Sequence, residues 1–162
     1  MSLVTKADAL PDSARVWIYQ ADTPFPASAV PDVRARIREF VASWISHNRA
    51  LKAFGDLYHD RFVVLMVDES QADASGCSID SSVRFLKMLG YDYGLDLFDR
   101  LKFSFLDGEE VRTVDRDTFE ELYRSGQISD ETPVFDTLVN TKGAFSRAFL
   151  KPLTQSWHAR MV

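Results

Sequence analysis

The sequence predicts an α+β fold, a ferredoxin-like split βαβ core of order βαββαβ followed by a C-terminal β-hairpin and helices. Three observations carry this prediction. Strand, helix, strand, strand, helix and strand patterns follow one another across residues 15–106. Residues 62–67, FVVLMV, are uninterruptedly apolar and β-branched at Val63, Val64 and Val67, as in a strand covered on both faces. Asp107-Gly108 separates two apolar runs, a strong hairpin signal.

In chain order, residues 1–14 are polar, contain Pro11 and Asp12 and lack periodicity, so they read as a loose leader to a single α+β domain over 15–162. Residues 15–20, RVWIYQ, have the β-branched and aromatic content of a strand, which Pro24 and Pro26 stop. Ser28 is placed to cap a helix over 29–46, where Val30, Val33, Ile37, Val41 and Trp44 recur at helical spacing. Residues 51–58 and 62–67 then form a hairpin across His59-Asp60. A second amphipathic helix over 79–90 places Val83, Leu86 and Leu89 inward and ends near Gly90. Both helices are expected on one face of the sheet. Strands at 102–106 and 111–114 follow, then a short helix capped by Asp115 or Asp117 and stopped at Gly126. Residues 133–139 fit strand or helix alike, and 141–150 have helical spacing. Trp157-His158 reads as core aromatics or as a docking tail.

Composition narrows the function classes. With 162 residues and 46% hydrophobic content the chain can fill one core. A net charge of -5 argues against a nucleic-acid footprint, which needs a basic stripe. One cysteine permits no internal disulfide, and residues 1–17 show no apolar signal region, so the expected location is the cytoplasm. No apolar run reaches the roughly 20 residues a membrane span requires.

The candidate site lies in the loop and helix start after residues 62–67. Ser75, Gly76, Cys77 and Ser78 precede the helix, and the amides through Ile79 and Asp80 could hold an anion against the helix dipole, with Arg84 one turn on. Cys77 in this position could be a nucleophile, with His47 as base, since the βαββαβ order brings the end of the first helix to the same pole. His59, at the far tip of a seven-residue strand, lies on the order of 20 Å away. Asp68, Glu69, Asp73 and Asp80 match no calcium-loop spacing and read as solvated loop acids, and no metal site is assigned. No lysine follows Gly76 until Lys87, so a Walker A loop is absent and no cofactor is expected. Arg34, Arg36 and Arg38 read as a solvated helix face.

The segments VWIYQAD (16–22), VDESQADASGCSID (67–80), LFDR (97–100) and SWHARM (156–161) resemble a small family of uncharacterised bacterial proteins of the Bacteroidetes type, whose members often carry the label ABC transporter ATPase. The resemblance spans nearly all of the chain after the leader. It implies a stand-alone cytoplasmic protein and brings no catalytic residues with it.

The function expected is therefore a non-enzymatic cytoplasmic binding or regulatory module, holding a small anionic ligand or a protein partner at residues 75–82. The alternative is a thiol-dependent enzyme using Cys77 and His47. Self-association into a homo-oligomer is left open.

Overall fold

The computed structural model describes residues 9–70 and 73–162 and shows an α+β protein with three antiparallel sheets. The chain forms β1 (Arg15–Gln20), α1 (Val30–Ala42), a small ribbon of β2 (Ile45–Ser46) and β3 (Arg49–Ala50), β4 (Lys52–Tyr58), β5 (Phe62–Asp68) and α2 (Gly76–Tyr93). It continues through β6 (Lys102–Asp107), β7 (Glu110–Asp115), α3 (Arg116–Arg124), β8 (Pro133–Phe135), α4 (Lys142–Ala148) and β9 (Leu150–Pro152), and ends in two 3-10 turns, Leu153–Gln155 and Trp157–Met161.

The first sheet has the order β1-β5-β4, and all seven residues of its central strand are buried. Alternation along β5 explains why. Val63, Leu65 and Val67 face α1 and α2, packing on Val33, Ile37, Val41, Leu86 and Leu89. Phe62, Val64 and Met66 face the other way, onto Phe135 and Phe149. Both long helices therefore lie on one face, where Phe40 of α1 stacks on Phe85 of α2 with ring centroids 4.5 Å apart. Gly55 allows α1 to settle on β4, since a Cβ there would stand 2.8 Å from Ile37 and 2.9 Å from Val41.

The second sheet has the order β7-β6-β8-β9. Phe103 and Phe105 leave its outer face to pack on Phe119 and Leu122 of α3, with the C-terminal turns completing that third core. Helices, sheet, sheet and α3 with the C-terminal turns thus succeed one another, and residues 133–162 are built into the core. The docking-tail reading gives way here: His158 is 1% exposed, and Trp157 packs against the cluster around Phe103 and Phe119.

Several sequence expectations need correction. A full four-stranded ferredoxin-like sheet is not formed. The order β1-β5-β4 is that expected of its first three strands, but β6, the expected fourth, pairs with β7 and β8. The first helix ends at Ala42, not residue 46, because the chain turns into the β2–β3 ribbon through His47 and Asn48, both at positive φ (50° and 64°) as a type I′ turn demands. Ser28 lies in a 3-10 turn and caps nothing; Ala29 occupies the cap position and Pro31 the first turn. α2 is longer than 79–90. It starts at Gly76 and runs through Gly90, where a Leu95 carbonyl approaches too closely for any side chain, to stop at left-handed Gly94 (φ 67°). Asp115 caps α3 by accepting from the Thr118 amide at 2.8 Å. The expected loose leader lies outside the described residues up to position 8. Its last residues are docked, with Leu10 and Ala14 buried and the Lys142 ammonium donating to the Leu10 carbonyl.

Candidate functional site

The site begins with the parity of β1. The strand pairs with β5 through one set of backbone groups, while the other set points away. That outward set is marked at its two ends, where the Val16 amide donates to the Asn140 carbonyl at 2.9 Å and the Asp22 amide to the Asp96 carbonyl at 3.1 Å. Ile18 and Gln20 share their parity, so their amides and carbonyls also point outward, and these make no hydrogen bond among the described residues. A bare stretch of strand edge results, bracketed by covered ends.

This edge floors a groove of about 390 Å³. On the helix side, Tyr19 packs on Phe98 at 5.4 Å and Trp17 on Trp44 at 5.9 Å. Burial raises the Tyr19 phenol above its ordinary pKa, against the pull of Ser82 and of the Arg100 charge. Across the groove stand Phe103, Val139 and Trp157, with exposed Leu138 on the rim. Asp99, Arg100 and Lys102 supply its charges.

Asp136 holds the far wall. Its Oδ1 accepts from the Trp157 indole at 2.8 Å and from the Leu138 amide at 2.9 Å, and its Oδ2 accepts from Lys151 at 2.7 Å. Burial pushes its carboxyl up, but the donors Lys151, Trp157 and Leu138 outweigh that and keep it below the usual carboxylate range. One carboxylate thereby positions two groove residues. Behind Trp157, His158 stacks on the indole at 3.7 Å and pairs its Nδ1 with Ser156 Oγ at 2.6 Å. Desolvation pushes this imidazole down to about 4; Asp136 opposes the shift and Lys151 adds to it.

Beneath the groove floor, a buried polar chain ties the two sheets together. Arg61 donates to Thr113 Oγ1 at 2.8 Å, Thr113 meets Ser104 Oγ at 2.6 Å, and Ser104 donates to Gln20 Oε1 at 2.6 Å. The Gln20 amide nitrogen then donates to the Lys102 carbonyl at 3.1 Å. Because Ser104 gives its only hydrogen to Gln20, the Thr113 hydroxyl is the donor in the middle link. A side chain, not a backbone ladder, thus joins β1 to β6.

The sequence-derived candidates lie elsewhere. Ser75 caps α2 by accepting from the Ser78 amide at 3.2 Å, while Ser78 Oγ accepts from the Ser75 amide at 2.6 Å. The Ile79 amide donates to the Ser75 carbonyl. Only the amides of Gly76 and Cys77 stay unpartnered at this helix start among the described residues. Asp80 and Arg84 are exposed, and none of these residues lines the groove. Cys77 is exposed at the start of α2, and His47 is exposed in the β2–β3 turn. The end of α1 does approach the start of α2, but the contact is the Trp44 indole donating to the Ser78 carbonyl at 2.8 Å. No hydrogen bond joins Cys77 to His47 among the described residues. The described residues also contain no group of three or more His, Cys, Asp or Glu placed to hold a metal, and no helix long and apolar enough to cross a membrane. Glu69 accepts from the Ala74 amide and Asp68 from the Ser70 amide, as loop-closing acids do.

Sequence reasoning missed the edge of β1, Asp136 and the Gln20 chain. A glutamine closing the apolar and aromatic run Val16–Tyr19, and an aspartate directly after the apolar pair Val134-Phe135, were the available signals. No protein-family model, curated protein or solved structure matches the chain.

Proposed function

We propose that the protein is a non-enzymatic binding module of the cytoplasm that receives an extended segment of a partner polypeptide on the bare edge of β1. One observation carries the reading: the outward backbone groups of Ile18 and Gln20 are unpaired inside an aromatic-walled groove, while their neighbours in the same register, Val16 and Asp22, are already paired. Strand edges in that condition bind peptides by main-chain hydrogen bonds, with side-chain pockets giving selectivity. The first three strands keep the order of a split βαβ unit. In a complete ferredoxin-like sheet the fourth strand would cover this edge; here β6 is drawn into the second sheet, and the edge is left for another chain. Exposed Leu138 and Leu101 beside the groove add apolar surface for a partner.

Support for an anion at the α2 start is confined to the amides of Gly76 and Cys77, since Ser75 and Ser78 consume one another. Support for a thiol-dependent reaction is confined to the exposure of Cys77.

The test is to titrate a panel of seven-residue peptides with alternating apolar positions while following backbone amide exchange. Binding should slow exchange at Ile18 and Gln20, and Ile18→Pro, which removes an amide that β5 does not use, should abolish binding while the protein stays folded. Peptides that bind tightly yet leave both amides exchanging at the free rate would falsify strand addition.

A further inference from the structure

We infer that the segment received on β1 is acidic, carrying carboxylates on alternate residues with apolar residues between them; this rests on the strand-addition reading above and adds the chemistry of the partner. The protein as a whole bears a net charge of -5. Its groove has the opposite sign, being lined by Arg100 and Lys102 against Asp99 alone. Asp99 is turned onto its own loop, where Oδ1 accepts from the Leu101 amide at 2.9 Å. Lys102 is half-buried beside its cross-strand neighbour Asp115. Arg100 is exposed and enters no ion pair among the described residues, so it holds the larger unanswered charge. A cation at the rim of a partly desolvated groove steers and selects carboxylates more strongly than one on open surface.

The pleat of β1 fixes where those carboxylates go. Residues on an added strand opposite Tyr19 project onto the face where Tyr19 meets Phe98, and Arg100 lines the groove together with those two residues. Their neighbours, opposite Ile18, project onto the face that Ile18 shares with Val139, where an apolar side chain fits. Acid and apolar residues must therefore alternate, and the segment need not be longer than the window between Val16 and Asp22.

Two capped seven-residue peptides test this, one alternating valine with glutamate and the other valine with lysine. Each is titrated into the full chain and into Arg100→Glu, with fluorescence anisotropy for affinity and amide shifts for location. The glutamate peptide should bind the parent roughly tenfold more tightly than the lysine peptide, the range expected of a rim charge pair. Arg100→Glu should invert that order with the shifts still centred on Ile18 and Gln20. Equal affinities with shifts at Ile18 and Gln20 would overturn the acidic preference and leave strand addition standing. Shifts absent from Ile18 and Gln20 with both peptides, or centred on Gly76 and Cys77, would overturn both.

Discussion

Trp157 donates its indole N–H to Asp136 Oδ1 at 2.8 Å, and this bond sets one wall of the groove. Removing the acceptor also strands the Lys151 ammonium, which lies 2.7 Å from Oδ2 with only 17% of its side chain exposed. Asp136→Ala should therefore cost about 3 kcal/mol in denaturant melts, since breaking a largely buried pair leaves an uncompensated charge. Acrylamide quenching of tryptophan fluorescence should rise in the same variant. A melt within 1 kcal/mol of the parent, with about unchanged quenching, would show that Asp136 is not what holds the wall.

Two glycines should differ in how far they tolerate a side chain. At Gly55 an added side chain meets Ile37, Val41 and Leu65 between 2.8 and 3.1 Å, so Gly55→Val should destabilise by about 1–3 kcal/mol through overpacking. At Gly76 an added Cβ meets nothing within 4 Å, and Gly76→Ala should stay within about 0.5 kcal/mol. Paired chemical melts of the two variants decide it.

The buried imidazole of His158 makes stability depend on pH in a defined direction. Its folded pKa of about 4 lies below the ordinary value, so the contribution is fully present above pH ~6.5 and is lost as pH falls toward 4, where the unfolded chain takes up a proton that the folded one refuses. At pH 5 the loss should be on the order of 2 kcal/mol relative to pH 7.5. Comparing the parent with His158→Phe isolates this group, because the lowered carboxylate Asp136 remains in both. An identical pH 5 deficit in the two proteins would assign the effect to other groups.

Cys77 should be labelled completely by a maleimide in native buffer, because its side chain is exposed at the start of α2. Cys77→Ser should leave the denaturant midpoint and the peptide titrations unchanged. Labelling that waits for denaturant would show that Cys77 is buried, and a variant that loses binding would place Cys77 in the site.

Much of the α/β half was legible in the sequence, since local pattern and burial agree there. The run 62–67 is apolar on every residue because β5 is covered by helices on one side and the second sheet on the other. The stripes of Val33, Ile37 and Val41, and of Leu86 and Leu89, read directly as the faces of α1 and α2. Gly108 marked its hairpin because its φ of 63° suits a residue without a Cβ. The helix ends were less legible. Trp44 continues the helical spacing of α1 but is buried from a non-helical position, so its periodicity pointed past the true end at Ala42.

By itself the sequence determined β1, α1, the β4–β5 hairpin and α2 in their order, and the sharing of one face by α1 and α2, all consequences of local residue pattern; the β2 strand of the β2–β3 ribbon it read as helix. Only the tertiary structure decided where β6 goes, and with it the site. Phe103 and Phe105 must bury against Phe119 and Leu122, while Ser104, on the opposite face, reaches Gln20; β6 is thereby held in the second sheet with Lys102 bonded to a side chain of β1. The open edge at Ile18 and the wall held by Asp136 follow from that partition. They are contacts between residues 82 or more apart, or between a carboxylate and an indole 21 apart, which no local periodicity encodes.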